Sequence, residues 1–165
     1  MTISPEYYAW REALGFDEIS FGCSGVRLFP LAELDEGQIG YSRSQEGQSF
    51  CDGAEGSWNP EWIVIAYDTG LGDPFILDTS SPTLRVMTAM HGEGAWEPYP
   101  IARSLEAFAA TLRAIKEISL GREYPVALEN NPLPSAEKNR VLQLIHSVND
   151  DEVDVDFWEA LLGVE

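Results

Sequence analysis

A chain of 165 residues, 44% hydrophobic and 23% charged, suffices for one compact domain with its own core and excludes wholesale disorder or a fibrous repeat. Twenty-eight Asp and Glu against ten Lys and Arg give a formal net charge of −18, a field that repels phosphate backbones and anionic lipid. Direct nucleic-acid and acidic-membrane binding are therefore disfavoured, and a macromolecular partner is expected to be basic.

At the N-terminus, Met1 to Trp10 lacks the basic-then-apolar layout of a signal peptide, and no run of about 18 apolar residues follows anywhere. The chain reads as cytoplasmic. Its two cysteines, Cys23 and Cys51, are too few for a disulfide framework and are expected to be free thiols.

Ser4, Pro5 and Glu6 start a helix carrying Tyr7, Trp10 and Leu14, which Gly15 stops. Val26 to Phe29 is a β-capable run ended by Pro30, and Leu31 to Leu34 reads as a helical turn or a short continuation. From Asp35 to Asn59 the chain is polar and dotted with glycine, which predicts weak strands and exposed loops.

Trp62 to Tyr67 is a nearly continuous apolar run with the length of a strand buried on both faces, followed by the turn Asp68 to Asp73. Phe75 to Leu77, the turn Asp78 to Pro82, and an alternating run from Leu84 to Thr88 complete a three-stranded antiparallel meander. Ser104 caps a helix whose stripe of Leu105, Phe108, Ala109, Leu112 and Ile115 is expected to lie across the sheet, closed by Gly121. Beyond it, Val141, Leu144, Ile145 and Val148 form a second stripe, and Phe157, Trp158, Leu161 and Leu162 a last short helix. After Arg140 the tail carries seven acids and no Lys or Arg.

Asp68-Thr69-Gly70 after an apolar strand has the look of an aspartic-protease turn, but only one copy exists and Leu71 follows it. Asp68, Asp73 and Asp78 invite a calcium reading, since hard cations take six to eight oxygens, yet strand-end aspartates more often bond nearby amides. His91-Gly92-Glu93 would need further ligands or partners to hold zinc or act as a base. No local signature makes Cys23 or Cys51 a nucleophile, and Gly70-Leu71-Gly72 lacks a phosphate-loop pattern. No catalytic set, metal site or cofactor motif stands out. Trp58, Trp62 and Trp96 are large anchors for which core is favoured over interface.

The stretch Val26 to Leu34 (VRLFPLAEL), the hairpin Trp62 to Asp78 (WIVIAYDTGLGDPFILD), Val86 with the His91 region, and Ile101 to Leu112 (IARSLEAFAATL) together resemble the SUKH superfamily. That group contains the fungal Smi/Knr cell-wall-assembly regulators and many bacterial immunity proteins. The chain departs from the pattern at Phe21 to Gly25, where the family has an asparagine-glycine turn, and at Leu105, where Phe is common. The resemblance implies an α+β fold with a mixed, largely antiparallel sheet packed against several helices. Residues 1–165 then form one SUKH-like domain, with 122–165 as a lineage-specific acidic helical extension.

It also implies a non-enzymatic binding module, in the bacterial case an immunity protein that blocks a basic, nuclease-like toxin domain. The charge arithmetic agrees, because an acidic inhibitor gains on-rate against a basic target. The expected contact residues are Trp58, Asp68, Asp73, Glu93, Trp96 and Glu97, with the acidic tail Asp150 to Asp156 as the alternative surface. The competing readings are a regulatory scaffold of the fungal kind and a metal-dependent or aspartate-based hydrolase using Asp68, Asp73 and His91.

Overall fold

In the computed structural model, which describes residues 2–163, the chain starts as its capping residues dictate. The Ser4 hydroxyl accepts the Tyr7 amide at 3.2 Å, α1 runs Pro5–Leu14, and Gly15 closes it with a left-handed φ of 79°. Six strands follow: β1 (Glu18–Phe21), β2 (Ser24–Leu28), β3 (Trp62–Asp68), β4 (Pro74–Asp78), β5 (Val86–Thr88) and β6 (Tyr99–Ala102). They form one sheet in sequence order, and all its pairings are antiparallel, in keeping with the largely antiparallel sheet expected. The expected meander is its centre. Four helices complete the α+β fold: α2 (Leu105–Ser119), α3 (Pro125–Asn130), α4 (Ser135–Val148) and α5 (Asp156–Leu161).

The helices lie on one face of the sheet. The α2 stripe of Leu105, Phe108, Ala109, Leu112 and Ile115 is buried, together with Val26, Leu28, Phe75 and Val86 from the strands. Into the same core α4 sends Val141, Leu142 and Ile145, while α5 sends Trp158, whose indole N–H donates to the Ile101 carbonyl at 2.8 Å. Residues 122–163 thus contribute a wall of the core; of the acids after Arg140, Glu165 lies outside the described residues. In α4 the expected stripe is rotated, because Leu142 is buried whereas Leu144 is 37% exposed.

Two bulges set which side chains face where. Val64 pairs with Ile76 and Ala66 with Phe75, leaving Ile65 as an extra residue; Val86 pairs with Ala102 and Met87 with Pro100, leaving Ile101 extra. Each bulge sends two consecutive residues, Ile65 with Ala66 and Ile101 with Ala102, into the helix-side core. The alternation then resumes with Tyr67 on the opposite face. The run from Leu84 to Thr88 is not strand throughout, since Leu84 holds a φ of 52° in the turn and β5 begins at Val86.

Candidate functional site

The second face of the sheet carries no α-helix among the described residues and is covered by the polar, glycine-dotted segment, with short 3-10 turns at Leu31–Glu33 and Glu36–Gln38. A smaller core of Trp58, Val64, Ile76, Met87 and Ala89 forms here, with Tyr41, Trp62 and Trp96 packed on it. Trp58 stands edge-on to Trp62 and Trp96 with ring centroids 5.6 and 5.1 Å away, and Tyr41 leans on Trp58 and Trp96 at 5.7 and 5.9 Å.

What holds the covering strap is Gln38. Beyond Leu28 strand β2 no longer pairs with β3, so the Val64 amide and carbonyl need other partners. The Gln38 side chain supplies both, its Oε1 accepting from the Val64 N–H at 2.9 Å and its Nε2 donating to the Val64 carbonyl at 2.8 Å. A side-chain amide here stands in for a neighbouring strand.

Of the residues expected at a binding surface, two are used by the fold. Trp58 is 1% exposed, the centre of the aromatic cluster, and presents nothing to a partner. Asp68 is 6% exposed, and its Oδ1 accepts the Gly70 and Leu71 amides at 2.6 and 3.3 Å, shaping the β3–β4 turn. Asp78 is likewise buried and pairs with Arg85 at 2.9 Å, so Asp68, Asp73 and Asp78 do not converge. Among the described residues no group of three or more His, Cys, Asp or Glu side chains is placed to hold a metal ion.

The other four sit together on the helix-free side. Asp73 Oδ1 accepts the His91 backbone N–H at 2.9 Å and lies 2.7 Å from His91 Nδ1. This bond ties the β3–β4 turn to the loop after β5, from which Glu93 and Glu97 project into solvent. Both line a depression of about 420 Å³ with Met90 and Tyr99, and Trp96 is half-buried beside it.

Two tyrosines show how far this electronegative surface extends. Burial, with Asp154 and Asp73 as negative neighbours, raises the pKa of Tyr99; burial, with Asp73 and Tyr67, raises that of Tyr41. Tyr99, packed on the helix-side core at the sheet edge, thus has the turn aspartate and the acidic tail as neighbours, and the Asp154 amide donates to the Pro100 carbonyl at 2.9 Å. The two surfaces that the sequence offers as alternatives are neighbours. On the other side of Asp73, Tyr41 and Tyr67 lead to a second cleft bearing Glu33 and Glu36. Neither glutamate nor these tyrosines stands out in the sequence, because only the β3 bulge turns Tyr67 to this face and only Gln38 brings the strap against it.

The positive charge set against these acids on this face is Arg27, exposed and opposite Tyr67 across β2 and β3. Residues 44–102 carry nine acids and one Lys or Arg, Arg85, which is occupied by Asp78. Other bases are engaged within the fold: Arg11 with Asp17 and the Phe16 and Phe29 carbonyls, Arg43 with Asp35, and Arg122 with the Ile118 and Asn131 carbonyls. Among the described residues no helix is long and apolar enough to cross a membrane. The fold and this surface together define an α+β domain with an acidic, aromatic face opposite its helices. Comparison of the chain with protein-family models, with curated proteins and with solved structures finds no match.

Proposed function

We propose that this chain is a protein-binding module of the SUKH kind whose helix-free face covers a basic protein, as an immunity protein covers a nuclease-like toxin domain. The observation that carries this reading is the acidic rim at the β6 end of the sheet, where Asp73, Glu93 and Glu97 stand near Trp96 on the smaller core and Asp154 adjoins Tyr99 on the helix-side core. Carboxylates spaced over such a rim match the cationic groove with which a nuclease holds phosphates, and steer the encounter. The aromatic rings supply area that is rigid and loses little entropy on contact. Cytoplasmic placement and the absence of a cofactor belong to the same proposal.

A hydrolytic reading has the Asp73–His91 pair in its favour, since a carboxylate on Nδ1 orients an imidazole. No hydroxyl or thiol bonds to His91 among the described residues. The binding reading accounts for more of the surface.

The test is capture by tagged protein from its native host at low and high salt, followed by co-expression with whatever is captured. A basic polypeptide held near one-to-one, released by salt and silenced by this chain supports neutralisation. A captured protein whose activity is unchanged supports the regulatory scaffold instead. Capture of nothing basic, alongside a hydrolytic activity lost in His91→Ala, contradicts the proposal.

A further inference from the structure

Next to the Asp73–His91 bond, a wide-open cleft of about 560 Å³ lies between the strap and strand β3. Its walls are the rings of Phe29, Tyr41 and Tyr67, and its mouth carries the Glu33 and Glu36 carboxylates. Neither carboxylate forms an ion pair with a described residue, and no Lys, Arg or His lines the cleft. We propose that this cleft is the receptor for an arginine side chain of the bound partner, a proposal that rests on the protein-binding reading above.

Three features select that chemistry. Phe29 and Tyr67 pack on one another, 5.7 Å apart and inclined at 48°, and both stay partly exposed, so a cation seated on their outer surface gains from the π quadrupole. Two exposed carboxylates beside those rings can accept the forked N–H groups of a guanidinium, which an ammonium cannot present. A flat, weakly hydrated guanidinium can stack and bond at once, whereas lysine would keep its hydration shell or lose one of the two contacts.

The receptor is also built in advance. Gly37 lies so near Phe29 that a Cβ there would come within 2.8 Å of the ring. Phe29 is held by its own amide to the Ile65 carbonyl at 3.0 Å and by Arg11 Nε on its carbonyl at 3.2 Å. Gln38, the residue after Gly37, fixes the strap to β3 through Val64. A cleft that need not be ordered on binding keeps more of its contact energy as affinity.

The experiment titrates the purified full chain with a hexa-arginine and a hexa-lysine peptide, following amide shifts by NMR and affinity by calorimetry. The arginine peptide is expected to bind about fivefold more tightly than the lysine peptide. E33Q/E36Q should cut arginine affinity about tenfold and bring the ratio of the two peptides towards one, with shifts confined to Phe29, Tyr41 and Tyr67 in the wild type. E12Q/E129Q removes the same charge from the helical side and should change affinity less than about twofold. Equal affinity for the two peptides, or equal weakening by the two double variants, means diffuse attraction and overturns the cleft assignment. If that occurs while a basic partner is still captured from lysate, only the cleft is lost; if no basic partner is captured, the underlying reading falls.

Discussion

Gln38 and Tyr7 are buried polar residues with opposite standing. Gln38 is 3% exposed and satisfies both the N–H and the carbonyl of Val64, itself fully buried. Gln38→Leu keeps the volume but takes a partner from three backbone groups, the Val64 N–H and carbonyl and the Leu34 carbonyl, each costing about 1–3 kcal/mol if left unpaired. Urea unfolding should therefore show a loss of about 3 kcal/mol or more, and an unchanged midpoint would mean that the strap is not held by this amide. Tyr7 is the reverse, because its hydroxyl is buried and finds no hydrogen-bond partner among the described residues. Tyr7→Phe should be neutral or stabilise by up to about 1 kcal/mol at pH 7.

The same hydroxyl carries a pH signature. Burial raises the Tyr7 pKa well above the ordinary tyrosine value of 10.0. The folded state then holds the phenolic proton more tightly than the unfolded chain, so the stability it supports is complete below pH 10 and declines as pH rises beyond it. Denaturant titrations from pH 9 to 11 should show that decline in the wild type and a shallower one in Tyr7→Phe. Parallel profiles would contradict the burial of this group.

Elements were legible where a local rule had no competitor. Ser4 and Ser104 cap α1 and α2 through their hydroxyls, and the apolar runs at Trp62 and Phe75 are strands. β1 and β6 are four residues each, and β6 contains Pro100, so neither forms a run long enough to register. The bulges at Ile65 and Ile101 break the period of two that would have shown which face each residue occupies. For the candidate site this mattered: of the six residues expected there, Trp58 and Asp68 are buried and Asp73, Glu93, Trp96 and Glu97 lie near one another, while Tyr67 and the strap glutamates could not be placed. Nor does polarity reveal that residues 35–59 cover a second core, which depends on one glutamine and Trp58.

At the same scale, the packing of α4 and α5 has a direct consequence. Trp158 is fully buried against Phe75 and Phe108 with centroids 6.1 and 6.2 Å away, and Val141 and Ile145 close the core over α2. A chain ending at Gly121 exposes that apolar surface, and losing one buried Trp alone costs about 3–5 kcal/mol. Such a truncation should lack a cooperative thermal transition by circular dichroism. A sharp melt near that of the full chain would show that the segment is dispensable after all.

Across the whole molecule, charge is distributed unevenly. Residues 103–140 hold six Lys or Arg against five acids, whereas the sheet segment 44–102 and the tail after Arg140 hold most of the excess negative charge. That arrangement stabilises association with a cation-rich surface and strains the isolated fold by self-repulsion. Salt should relieve the strain, so the thermal midpoint should rise by a few degrees between about 0.05 and 0.5 M NaCl, where screening shortens from roughly 14 to 4 Å. A midpoint that falls over this range would mean that internal ion pairs outweigh the repulsion.

The same salt that steadies the free protein should weaken its complexes, and this opposition gives the binding reading its sharpest test. The decisive measurement is quantitative capture from native-host lysate by the wild type and by E33Q/E36Q/E93Q/E97Q, whose four substitutions all fall on exposed glutamates of the helix-free side. The account predicts a basic polypeptide held near one-to-one by the wild type and lost from the variant, with both proteins folded to the same thermal midpoint within about 2 °C. Equal capture by the two, or capture of no basic protein by either, would contradict it.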